Sequence, residues 1–150
     1  MSNQGIHSKL VTLFSLLLTL LFVYTAVSKL IELDTFQWRL ERMPYIAPYA
    51  YLLSWEVPFL ELIIAGLLWL PRYQIMALYA SFILLGCFTL YIVLVLKFSD
   101  SIPCSCGGVI STLGWQHHIV LNISFMALAA LGILWSKKQN DIPSKQDTVQ

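Results

Sequence analysis

Charge is what this sequence has least of. Only 11% of its 150 residues are Asp, Glu, Lys or Arg, against about 25% in an ordinary soluble domain. A water-facing surface cannot be built from that inventory. The net charge of +1 comes with no basic block and no aromatic stacking platform, which argues against nucleic acid as a partner. Cysteine is scarce too: there are three, and no two of them form a Cys-x-x-Cys pair. The chain has no internal repeat and no sign of a second domain, so residues 1–150 read as a single membrane domain.

What the chain has in quantity is apolar residues, 58% of the total, with a mean hydropathy of +0.73. A helix needs roughly 20 apolar residues to cross a hydrocarbon core of about 30 Å. Four runs meet that length, at about residues 10–31, 49–70, 73–96 and 119–135. Ala26-Val27-Ser28 resembles the small-residue site that follows a signal peptide, but the first run is read as a retained span. The expected fold is therefore an all-α membrane protein, four transmembrane helices in an antiparallel bundle.

An even number of spans puts both termini on one side. That side holds Lys9, Arg72, Lys137, Lys138 and Lys145, and the other holds Lys29, Arg39, Arg42 and Lys97. The small excess predicts cytoplasmic termini. The tails, residues 1–9 and 136–150, are polar and expected to be mobile. After the first span, "LDTFQWRLERMP" predicts a short interfacial helix. Asp34 or Thr35 is its candidate N-cap, Phe36 and Leu40 share a face, Pro44 ends it, and Trp38 and Tyr45 lie at headgroup level. Pro71-Arg72 joins spans two and three as antiparallel neighbours.

The segment between spans three and four, with "SIPCSCGGVIST" at residues 101–112, carries Cys104 and Cys106 one residue apart. On this topology it faces the outside, where disulfides persist. A disulfide between residues i and i+2 closes a strained small ring, and strain makes it easier to reduce. That suits an exchangeable pair better than a staple. Gly107 and Gly108 allow a tight loop and room for a partner's backbone, and Pro103 fixes the backbone before it. Lys97, His117 and His118 favour a thiolate. Two plainer readings stand beside this one: idle loop thiols, or one of the pair bonded to Cys87. Cys87, mid-span in "LLGCFTLY", reads as a buried thiol acting as a small hydrophobe. A metal site using Cys104, Cys106 and a histidine is a third reading, although adjacent histidines on a helix point about 100° apart.

Glu56 and Glu61 fall inside the second span. A charge at mid-span costs roughly 2.5–3.5 kcal/mol on insertion scales, so both should face protein or water. They are about 140° apart round the helix and need not share a partner. Each is a candidate proton donor or relay, with Glu56, nearer the outer end, the stronger, or else polar glue between helices. Pro58, between them, is expected to kink the span. His118 and Asn122 share a face at the start of span four, and Lys29 lies at the same outer level. These groups and Glu56 are expected to converge beneath the cysteine loop.

With those residues in view, the pattern resembles the methylamine-utilisation MauE family, within the wider DoxX-like group of four-span proteins. The likeness covers about residues 8–135. It is carried by "VSKLIELDTF", "WEVPFLELIIAGLLWLP", "FTLYI", "PCSCGG" and "WQHHIVLNISF". Many relatives have Cys-Gly-Cys-Phe-Gly where this chain has Cys-Ser-Cys-Gly-Gly. The resemblance implies a redox-associated inner-membrane protein that helps a periplasmic thioredoxin-like partner make or rearrange disulfides in an exported client. A distant likeness to quinone-linked thiol oxidoreductases brings in quinone as a candidate cofactor, without their Cys-x-x-Cys pair. Two alternatives remain: a non-catalytic subunit of a larger membrane complex, with "LIIAGLL" and "MALAALGIL" as packing faces, and a metal-binding membrane protein.

Overall fold

A segment that leaves water must satisfy its backbone N–H and C=O groups internally, and long apolar runs do so as helices. The computed structural model describes residues 3–98 and 115–140, with side chains over 9–98 and 117–137. All its regular elements there are helical: α1 (Asn3–Ile31), α2 (Leu33–Glu41), a 3-10 turn (Ala47–Tyr49), α3 (Ala50–Trp69), α4 (Gln74–Phe98) and α5 (Trp115–Asn140). Four of them hold stretches long and apolar enough to cross a membrane: Lys9–Ile31, Ala47–Trp69, Gln74–Phe98 and His117–Lys137. The expected four-helix architecture with one short extra helix is what the chain adopts.

Three boundaries differ from expectation. Helix α1 begins at Asn3 and α5 runs to Asn140, so parts of both polar tails are helical. Hydropathy marks where lipid ends, whereas a helix that is already nucleated adds one backbone bond for each residue it fixes. The N-cap of α2 is Glu32, not Asp34 or Thr35, and it makes no side-chain cap bond. The segment follows α1 after this single residue, and Phe36 N–H already donates to the Glu32 carbonyl at 2.8 Å. No room is left for a cap two residues later.

The long helices form a ring in which α1 packs on α3 and α5, and α4 packs on α5 and α3. The core lies at its centre, with Leu18 and Phe22 of α1, Ile64 and Leu68 of α3, Leu78 and Leu85 of α4, and Ala129 of α5. Gly132 lets α5 approach α4, since a Cβ there would stand 3.2 Å from Leu78 Cδ1. Phe14 and Trp135 stack at 5.4 Å. Buried hydroxyls find partners within the bundle. Thr19 donates to the Ser15 carbonyl and Ser81 to the Ala77 carbonyl, each at 2.8 Å, and Gln74 Nε2 donates across the bundle to Ser15 Oγ at 2.9 Å. Leu13, Leu20, Phe59, Ile63, Ile83, Leu90, Ile123 and Leu134 point outward, as a lipid-facing surface requires.

Helix α2 and the turn after it close one end of the ring. Leu40, Met43 and Ala50 form a second buried cluster against Phe36, Ile46, Leu53 and Tyr91. Tyr91 Oη donates to the Pro44 carbonyl at 3.0 Å, tying this cap to α4. Tyr45 turns the chain there with a left-handed φ of 70°. Trp38 and Tyr45 are both exposed, and the Arg42 guanidinium lies 3.5 Å from the Trp38 ring centre.

Candidate functional site

Beneath that cap is a cavity of about 470 Å³ bounded by α1, α2, α3, α4 and α5. Its lining includes Lys29, Glu56, Glu61, His118 and Asn122, so the structure brings these five residues to one space. Each arrives by helix geometry. Thr25 and Lys29 are one turn apart on α1, Glu56 and Glu61 come from α3, and His118 and Asn122 are one turn apart on α5.

The centre of the site is an ion pair. Lys29 Nζ lies 2.5 Å from Glu61 Oε1. The lysine stem carries the ammonium inward from the end of α1, a reach that four methylenes make easy. Glu61 is 3% exposed, and Lys29 lies near the Phe36 and Phe88 rings, at 5.9 and 5.7 Å. A carboxylate at this depth persists only with a partner, and the ammonium supplies it. Thr25, beside Glu61, donates to the Phe22 carbonyl of its own helix at 3.2 Å. Glu61 Oε2 and Asn122 Nδ2 are buried without a hydrogen-bond partner.

The two acids of α3 are thus placed very differently. Glu61 is buried and paired, while Glu56, one and a half turns nearer the cap, borders the same cavity from an exposed position. Pro58 is buried inside α3, which continues through it as one helix. His118 is half-buried within electrostatic reach of Lys29, and His117 is exposed. Among the described residues no three His, Cys, Asp or Glu side chains group as a metal site would require. Pro103, Cys104, Cys106, Gly107 and Gly108 lie outside the described residues.

Cys87 departs from the sequence reading. It is a free, exposed thiol that borders the cavity, not a buried hydrophobe. Mid-span position makes a residue apolar in its surroundings, but whether protein or lipid covers it depends on the rotation of α4. Sequence reasoning also passed over Thr25, Phe36, Phe88 and Tyr91 as cavity residues. The only local signal was spacing, Thr25 one turn before Lys29 and Cys87 one turn before Tyr91.

A ring of four apolar helices around a buried ion pair, with a lipid-facing exterior, defines a multi-pass membrane protein. Residues 7–135 match the family described as "Methylamine utilisation protein MauE", and the chain belongs to that family. No curated protein and no solved structure matches it.

Proposed function

We propose that this chain is a redox-associated membrane protein whose Cys104 and Cys106 exchange disulfides with a thioredoxin-like partner during maturation of an exported client. The observation that carries this reading is a cysteine pair one residue apart, lying between two membrane-crossing helices of a MauE-family chain. The excess of Lys and Arg on the side of the termini supports a non-cytosolic position for the pair, and hence an inner-membrane protein with cytoplasmic ends. In the exchange a thiolate of one protein attacks a sulfur of the other's disulfide and a mixed disulfide forms. The second thiol of the attacking protein then resolves it. Two electrons pass between the partners and none are lost from them together. Lys97, in the last turn of α4, is the cation nearest in sequence to the pair and favours a thiolate there.

Cys104→Ser and Cys106→Ser variants test this directly. One of them should accumulate a mixed disulfide that survives non-reducing electrophoresis and disappears on reduction, and its partner should be a thioredoxin-like protein or its client. Thiol labelling of the native protein should differ between oxidising and reducing growth. An unchanging pair, with no trapped partner in either variant, refutes the reading.

A further inference from the structure

One acidic side chain of α3 stands where a membrane protein seldom places one. Glu56 lies within the apolar stretch Ala47–Trp69, yet it is exposed and shares its outward face with Leu52, Phe59 and Ile63. Acidic residues in a span almost always face protein or water and find a counter-charge there. Glu56 has neither an ion pair nor a hydrogen bond among the described residues, where the salt bridge joins Lys29 to Glu61 instead. Residues 99–114 contain no Lys, Arg or His, so that segment has no cation to offer. The counter-charge comes from outside the chain.

Its level selects the source. Glu56 is about 9 Å along α3 from Ala50 at 1.5 Å per residue, and side chains lean toward the N-terminus of their helix. For α3 that is the capped end, so the carboxylate is carried outward, to where lipid headgroups begin. Below it the bilayer meets the cavity. Glu56 and Leu60 of α3 and Cys87 of α4 line the cavity and are exposed as well, so it has a mouth between these helices. Leu60 lies about 15 Å from Ala50, and Cys87 about 16 Å from Phe98, along their helices. That depth falls within the hydrocarbon layer. The walls behind the mouth are largely apolar, with Leu53, Val57, Leu84 and Phe88, and the volume of about 470 Å³ is that of a small-molecule site. An apolar void open to lipid forfeits packing contacts unless a lipid chain fills it.

We propose that this mouth holds an aminophospholipid, its primary ammonium donating to the Glu56 carboxylate while one acyl chain enters the cavity between Leu60 and Cys87. A primary ammonium has three N–H donors and makes a charge-assisted bond to a carboxylate. A choline headgroup carries the same charge but no N–H, so it meets only half of what Glu56 needs. Binding uses neither Cys104 nor Cys106, so the test is separable from the exchange reading.

The experiment titrates the full chain, in a mild detergent, with dioleoyl phosphatidylethanolamine or dioleoyl phosphatidylcholine and follows the first bound lipid by native mass spectrometry. The ethanolamine lipid should bind about fivefold more tightly than the choline lipid, the effect of one exposed ion pair. Glu56→Gln should bring it down to the choline value and leave the choline lipid unchanged. Leu60→Trp narrows the mouth and should weaken both lipids about threefold. Glycerophosphoethanolamine, the same headgroup without chains, should not compete at equal concentration. Both altered positions are exposed, so each variant should unfold in SDS at the native midpoint, read by circular dichroism. Equal affinity for the two lipids overturns the proposal and leaves Glu56 a hydrated carboxylate. So does a preference that survives Glu56→Gln, which would place the amine elsewhere. Binding that Leu60→Trp does not weaken overturns it by leaving the chain outside the cavity, and competition by the chainless headgroup overturns it by making the site one for soluble amines.

Discussion

Breaking the Lys29–Glu61 pair from either side should give unequal results. Their side chains are 18% and 4% exposed. Removing one partner of a buried ion pair typically costs about 3–5 kcal/mol, because the other charge is left uncompensated. Lys29→Met strands Glu61, a short side chain fixed on the inside of α3, so a loss of about 3 kcal/mol is expected. Glu61→Leu strands Lys29 instead, whose long stem can swing the ammonium toward the helix end, limiting the loss to about 1–2 kcal/mol. The double variant exchanges the pair for two apolar side chains of similar length and should return to within about 1 kcal/mol of the native protein. The coupling energy between the two sites should therefore be at least about 2 kcal/mol. Reversible unfolding in mixed SDS micelles, followed by tryptophan fluorescence, measures all four proteins. Additive losses in the double variant would refute the assignment of this pair as the central polar contact of the bundle. So would a Lys29→Met variant within about 0.5 kcal/mol of native.

Two further perturbations probe the packing. Tyr91→Phe removes the 3.0 Å bond to the Pro44 carbonyl and should cost about 1 kcal/mol, with faster hydrogen exchange at Met43–Ala47 and none in mid-α4. The glycines of α3 and α5 should respond in opposite directions. Nothing lies within 4 Å of a Cβ at Gly66, so Gly66→Ala should stabilise by about 0.5–1 kcal/mol. Gly132→Val drives its methyls against Leu78, where the first carbon alone stands at 3.2 Å, and should cost about 1–3 kcal/mol in the same unfolding assay.

For this chain, the run lengths of apolar residues determined that there are four long helices, because a buried backbone leaves few other choices. The spacing of Phe36 and Leu40 foretold a short helix with one covered face, and both side chains do pack in the cluster beneath it. The common level of Lys29, His118 and Asn122 also followed from counting residues along helices. Rotation did not. Whether Glu56 or Glu61 faces inward, and whether Cys87 meets protein or lipid, depends on the angle at which each helix sits in the ring. An apolar sequence on every face of α3 and α4 leaves that angle undetermined, since lipid and core accept the same residues. Only the packing of α1 against α3 brought a lysine and a glutamate 32 positions apart into contact. The packing of the ring placed both on one cavity, so composition fixed the helices and side-chain fit between them decided the site.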